Sequence, residues 1–321
     1  MGEFELIRRH FQRQRPPRAD VPLGIGDDCA LLQPAPGQQL AVSTDMLVEG
    51  RHFVSTVDPA RLGHKALAVN LSDLAAMGAE PLGFTLALAL PQANEAWLAG
   101  FARGLFALAD AHGCELVGGD TTRGPLNLCI TVMGQVPPGL ALKRAAACVG
   151  DDIYVSGSLG DARLALEVFR GGVALDAAAF TRVRERMERP TPRLTLGLAL
   201  RGVAHAAADI SDGLSGDLGH ILRASGVGAT LQAAALLRAT SDDLRSSGDP
   251  LALEYALTGG DDYELVFTAP PHHRDAVAQA AAQAGVGVTC IGQIDAAPGL
   301  RLVDAQQQQL ALPGRAFDHF A

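Results

Sequence analysis

Three observations predict an α+β fold class, with two mixed α/β domains in one chain. The chain has 321 residues, and at roughly 100–200 residues per domain that length divides into two. Apolar runs of strand character alternate with stretches of helical spacing in both halves. The break Val136-Pro137-Pro138-Gly139 punctuates the chain between them. The expected domains are 1–138 and 149–321.

The elements follow in order. Phe4, Ile7 and Phe11 recur at helical spacing, predicting an amphipathic helix over Glu3 to Arg15 that Pro16 and Pro17 end. Gly24 to Asp28 is turn-rich, and Gln39 to Thr44 reads as a strand running into Asp45. Leu67, Leu71 and Leu74 predict a helix over 59–78; Gly83 to Leu90 is a strand closed by Pro91. Trp97, Phe101, Leu105 and Leu108 mark one face of a helix over Glu95 to His112. Glu115 to Val117 leads into the loop-like Gly118-Gly119-Asp120-Thr121-Thr122, and Leu126 to Gln135 is a further strand. In the second half Asp151 to Ser156 reads as a strand, and Gly157 to Gly160 as a loop before a helix over Asp161 to Phe169. Further helices are expected at Arg193 to Arg201, after Asp209-Ile210-Ser211-Asp212-Gly213, and at His273 to Ala284. Gly259 to Glu264 is a loop running into the strand Leu265-Val266-Phe267.

Composition narrows the function. Lys and Arg total 26 against 35 Asp and Glu, a formal net charge of −9. A nucleic-acid binder needs a basic face to neutralise phosphates, so that class is not expected. No apolar run reaches the 18 residues of a membrane helix, and no secretory signal opens the chain. The five cysteines are scattered and form no CxxC pair. A zinc site or a disulfide framework is not expected, and a reducing, cytoplasmic location fits.

The informative feature is acidic. Asp27, Asp28, Asp45, Asp73, Asp120, Asp209 and Asp212 stand in apolar or Gly/Ser/Thr settings. Carboxylates gathered in dry surroundings repel one another and lose hydration. Divalent cations relieve both costs, and Mg2+ favours carboxylates, waters and substrate phosphates. Each aspartate alone also reads as a turn residue or helix cap. Asp73 interrupts an apolar helical pattern and shares a face with Asn70; it is either a metal ligand or, with Ser72, the cap of a second helix. Gly118-Gly119 could bring backbone close to a phosphate with Arg123 as clamp, or make a tight turn. Gly157 to Gly160 could offer N–H groups to an anion, and Lys143-Arg144 could contact phosphate or form a solvated face. His52, soon after Asp45, could contact substrate or serve the structure. No GxxxxGK[ST], GxGxxG before a helix, HExxH, GxSxG or protein-kinase signature set is present.

These segments resemble the thiamine-monophosphate kinase family, within the aminoimidazole ribonucleotide synthetase-like superfamily. The matching stretches are Gly24 to Ala30, Ser43 to Phe53, Lys65 to Gly78, Gly118 to Gly124, Asp209 to Gly213, Gly259 to Leu265 and the ending Phe317-Asp318-His319-Phe320. The resemblance covers nearly the whole chain. It implies that Asp28, Ser43, Thr44, Asp45, Asp73, Asp120, Asp209 and Asp212 hold several Mg2+ ions. It implies that Gly119, Asp120, Arg144 and Ser211 contact ATP, and that His52, Asp261 and Phe317 lie near thiamine monophosphate. Phe317 would stack on the flat heterocycle, its alternative being a core anchor for the C-terminus. No covalent nucleophile is implied. The family pattern reads Gly-Gly-Glu-Asp-Tyr-Glu-Leu, and here Asp261 takes the glutamate's place. The resemblance further implies a homodimer paired through the N-terminal sheet, an ATP- and metal-binding first domain, and an active site in the cleft between the domains.

The implied reaction is ATP-dependent phosphorylation of thiamine monophosphate to thiamine diphosphate. The alternatives are another ATP-using superfamily member or a silent metal-binding module. A selenophosphate synthetase would carry a reactive Cys beside a Lys near its start, whereas Cys29 is the first cysteine and Lys65 the first lysine. A hydrogenase-maturation protein would end in a reactive cysteine, and this chain ends His319-Phe320-Ala321.

Overall fold

The computed structural model describes residues 2–13, 18–314 and 317. The chain divides into two compact units, Met1–Leu74 with Ala79–Gly139, and Ala75–Gly78 with Leu140–Ala321.

The first unit carries α1 (Glu3–His10), β1 (Gln39–Val48), α2 (Pro59–Ala76), β2 (Glu80–Leu90), α3 (Glu95–Ala111), β3 (Glu115–Arg123) and β4 (Asn127–Val136). α1 is shorter than its spacing predicts, ending at His10 with Phe11 as its C-terminal cap residue. The expected stop at Pro16 and Pro17 lies outside the described residues. α2 buries Leu67, Leu71 and Leu74 and runs unbroken through Ser72 and Asp73, so neither caps a second helix. Asn94 caps α3 by accepting from Trp97 N at 3.0 Å, and Trp97 stacks on the buried Phe101.

The four strands lie in the order β1-β4-β2-β3. β4 pairs antiparallel with both β1 and β2, and β2 pairs parallel with β3. Strand alternation gives β1 two unlike faces. Ser43 and Asp45 are half-buried, while Leu40, Val42, Met46 and Val48 are exposed.

β3 departs from expectation. It continues through Gly118 to Arg123 as a paired strand rather than a loop. The pairing with β2 shifts register between Phe84 and Thr85, and Gly119 sits at φ +148° with Leu86 O only 1.9 Å from where a Cβ would stand. Gly119 therefore admits the neighbouring strand, and the Gly-Gly pair that signals a turn in sequence here lies within a bulged parallel pair.

The second unit carries β5 (Asp152–Ser156), α4 (Asp161–Phe169), α5 (Ala177–Glu188), α6 (Leu194–Ala199), β6 (Ala206–Asp209), α7 (Leu214–Ser225), β7 (Gly228–Gln232), α8 (Ala233–Arg238), α9 (Asp242–Arg245), α10 (Asp249–Thr258), β8 (Leu265–Ala269), α11 (Arg274–Ala284), β9 (Val288–Asp295), β10 (Gly299–Val303) and β11 (Gln309–Leu310). Its sheet has the order β11-β10-β7-β9-β5-β8-β6, and only β10 with β7 is parallel. Ile153, Val155, Leu218, Ile221, Leu231, Val266, Ile291 and Leu302 belong to one buried core. A smaller cluster joins Leu164, Val183, Met187, Leu244 and Tyr255. No helix among the described residues is long and apolar enough to cross a membrane.

Candidate active site

In the first unit, alternation along β1 turns Ser43 and Asp45 toward α2. Ser43 Oγ donates to Asp73 Oδ2, and Asp45 N donates to Asn70 Oδ1 at 3.1 Å. Asn70 Nδ2 donates to Ala66 O at 3.0 Å, which holds the amide with its oxygen toward the strand. Asn70 and Asp73, three apart on the helix, thus meet β1 together. Thr44 points the other way: its hydroxyl meets that of Thr131 at 2.8 Å. Of the expected set, the structure groups Ser43, Asp45 and Asp73, and Thr44 can join them only through its backbone.

Asp28 is exposed, with its N–H donating to Asp27 Oδ1 at 2.9 Å. Asp120 is exposed on β3. Asp45 pairs with Ile130, Ile130 with Leu86, and Leu86 with Gly119. Asp120 stands one row on, with Ala87, Cys129 and Met46, so the register does not bring it onto the face of Asp45. His52 Nδ1 accepts from Val48 N at 3.0 Å and closes the turn after β1.

The expectation of dry surroundings is corrected. Asp27, Asp28 and Asp120 are exposed, Asp45, Asp73 and Asp212 are half-buried, and only Asp209, at 4% exposure, is buried. Apolar neighbours in sequence point to other faces and do not report a carboxylate's own burial.

In the second unit, Asp209 ends β6 and the following loop is zipped to the 259–264 segment. Ile210 N donates to Glu264 O, Tyr263 N to Ile210 O and Asp261 N to Ser211 O, at 2.8–2.9 Å. Phe317 N donates to Asp212 O at 3.0 Å. Ser211, Asp212, Asp261 and Phe317 are therefore brought together beside Asp209. Phe317 is 45% exposed, so it is not a core anchor. Asp318, His319 and Phe320 of the expected ending lie outside the described residues.

The residue that organises this loop was not anticipated. Asp217, buried in the first turn of α7, accepts at Oδ2 from the N–H groups of Ser211, Asp212 and Gly213, each at 3.1 Å. Burial pushes its carboxyl up to about 7, and the Asp212 charge adds to that, against the pull of the N–H donors and the Arg144 guanidinium. An acid in the first helical turn was the available signal. Arg144 is exposed nearby, its carbonyl accepting from Ser225 Oγ at 2.8 Å.

The carboxylates of the 259–265 segment sort by burial. Asp262 accepts from Gly160 N at 2.8 Å, and burial holds its carboxyl well above the usual carboxylate range. The acceptor at the start of α4 is thus the protein's own carboxyl group, which corrects the phosphate reading of Gly157 to Gly160. Glu264 accepts from Ser156 Oγ and Arg193 Nε, both at 2.6 Å, and from Arg186. Asp261 is half-buried at φ 75°. Aspartate enters this left-handed region more readily than glutamate because its short side chain bonds locally, which gives a physical reason for the departure from the family pattern.

Residues 26–136 match AIR synthase related protein, N-terminal domain, and residues 149–305 match the C-terminal domain of the same description. A thiamine-monophosphate kinase of Salmonella typhimurium is 49% identical over 322 residues, covering 100% of this chain and 98% of that protein. The chain belongs to the thiamine-monophosphate kinase family. The crystal structure of thiamine-monophosphate kinase from Stenotrophomonas maltophilia K279a is similar at a TM-score of 0.84 and 51% identity, covering 89% of this chain and 92% of that one. A structure described as AaThiL complexed with AMPPCP and TMP is similar at a TM-score of 0.77 and 29% identity, covering 92% of each chain.

The donors suit the metal that this thiamine-monophosphate kinase family chain is expected to use. Ser43, Asp45 and Asp73 in one unit, and Asp209 and Asp212 in the other, offer oxygen alone. That is the chemistry of a hard divalent cation such as Mg2+.

Proposed function

We propose that the chain transfers the γ-phosphoryl group of ATP to thiamine monophosphate, giving ADP and thiamine diphosphate, the last step of thiamine diphosphate biosynthesis. The full-length 49% identity to a thiamine-monophosphate kinase carries this reading. The relative complexed with AMPPCP and TMP supports the pair of substrates.

The chemistry asks little of the protein beyond positioning and charge compensation. The acceptor is a phosphate monoester, whose second pKa of about 6 leaves an oxygen ready to attack at neutral pH. No general base or nucleophile is needed, and transfer is direct and in line. Bound Mg2+ ions supply neutralisation of the two polyanions. Asp45, Asp73, Ser43 and the Thr44 backbone hold metal as one group of the first unit, Asp28 and Asp120 hold metal away from that face, and Asp209 and Asp212 hold it from the second unit. Gly119, Asp120, Arg144 and Ser211 contact ATP, and His52, Asp261 and Phe317 contact the thiamine phosphate. Asp261 sets a negative charge toward the cationic thiazolium, and the Phe317 ring offers a face to the heterocycle.

The chain acts as a homodimer, with the domain 1–138 serving metal, nucleotide and dimer contacts. The exposed Leu40, Val42, Met46 and Val48 on edge strand β1 support this, because such apolar rows are rarely left open on a soluble chain.

Direct transfer is tested with γ-labelled ATP and rapid acid quench. Label is expected in thiamine diphosphate and none on the denatured protein. Label that stays on the protein and chases into product would overturn the direct step.

A further inference from the structure

Three side chains of unlike chemistry converge in the second unit, apart from the residues of the proposed phosphoryl transfer. Cys148 and Asp151 lie just before β5, and His205 just before β6. One ligand atom from each lies within 4.8 Å of the other two. The buried Asp151 is held firmly: its Oδ2 accepts from Cys148 N at 2.9 Å and from Thr268 Oγ1 at 3.1 Å. His205 Nδ1 lies 2.9 Å from the same oxygen. The backbone N–H of His205 donates to Thr268 O at 2.8 Å, which ties the histidine to the strand that also steadies the carboxylate. The thiol side is open, since Cys148 is exposed and the His205 side chain is 38% exposed.

We propose that Cys148, Asp151 and His205 form a binding site for a borderline divalent cation of the zinc class. One thiolate, one imidazole and one carboxylate are a donor set of that class. A hard cation such as Mg2+ does not select sulfur, so this site differs in kind from the all-oxygen sets. Three protein ligands with the fourth position open to water is the arrangement of an open zinc site. Binding exchanges the His205–Asp151 hydrogen bond for two bonds to the ion. The Cys148 thiol proton passes to solvent, so affinity rises with pH. The N–H of Cys148 and the hydroxyl of Thr268 remain on the carboxylate and orient it.

The test uses the full chain, reduced and free of chelator, titrated with Co2+ as a spectroscopic stand-in for Zn2+. A thiolate-to-cobalt charge-transfer band reports sulfur ligation, which oxygen-only sites cannot give. One equivalent is expected to saturate the band, and Zn2+ to abolish it. The band is expected to vanish in Cys148→Ser, to persist in Cys290→Ser, and to need at least about tenfold more metal in His205→Ala. In the unaltered protein, Zn2+ is expected to slow alkylation of Cys148 mapped by mass spectrometry, a readout that holds even where a variant fails to fold. Absence of the band, its survival in Cys148→Ser, unchanged affinity in His205→Ala, or alkylation indifferent to Zn2+ would each overturn the proposal.

Discussion

Asp217 shows how one side chain can fix a loop. Its single oxygen accepts from three successive backbone N–H groups, so the loop bearing Ser211 and Asp212 is set from beneath. Asp217→Ala leaves those donors without their acceptor, at about 1–3 kcal/mol for each group that stays buried. A loss of at least about 2 kcal/mol is expected in denaturant unfolding, with Asp217→Asn recovering part of it because its amide oxygen still accepts. The carboxyl near 7 in the folded chain, against about 3.9 unfolded, gives a sign for pH. The folded state binds the extra proton between those values. Its contribution to stability is therefore full below about 4 and is lost as pH rises through about 7. Over that window the stability of metal-free protein is expected to fall more, or rise less, with increasing pH than that of Asp217→Asn; an identical pH slope in the two proteins would contradict the assignment. At Gly119 the constraint is steric. Gly119→Ala would set a Cβ 1.9 Å from Leu86 O at φ +148°, and a loss above about 2 kcal/mol is expected by calorimetry.

At the scale of elements, Glu264 ties β8 to the rest of the second unit. It receives Ser156 of β5, Arg186 of α5, and Arg193 just before α6. Removing it leaves two partly buried guanidiniums without their carboxylate, so Glu264→Ala is expected to cost about 3–5 kcal/mol, read as a lowered unfolding midpoint. The sequence made the long elements legible, because α2 and α3 bury leucines at helical spacing and β4 alternates. It misread β3, where two glycines mimic a turn and only the partner strand shows why Gly119 is there. It was silent on α5 and α10, although Phe180, Val183 and Met187 have helical spacing. The candidate site was legible as a set of aspartates, but not in its sorting. Asp261, Asp262 and Glu264 look alike in sequence, yet Asp262 closes the start of α4 and Glu264 binds arginines. That division depends on partners far along the chain, as does the role of Asp217.

At the scale of the whole molecule, the open face of β1 and the acidic sets are the two features that remain to be tested together. The apolar row Leu40, Val42, Met46 and Val48 accounts for the expected dimer. Val42→Asp is expected to convert the protein to a monomer in sedimentation while leaving it folded; a dimer that persists would place the interface elsewhere. The central claim is the metal-dependent transfer of phosphate to thiamine monophosphate. The most direct measurement is chromatography of thiamine diphosphate after incubating the purified protein with ATP, Mg2+ and thiamine monophosphate, beside Asp45→Asn. The expected result is product that needs Mg2+ and falls by at least about 100-fold in the variant, a change of about 2.7 kcal/mol in transition-state stabilisation. A folded, ATP-binding protein that forms no thiamine diphosphate, or an Asp45→Asn variant as active as the original, would contradict it.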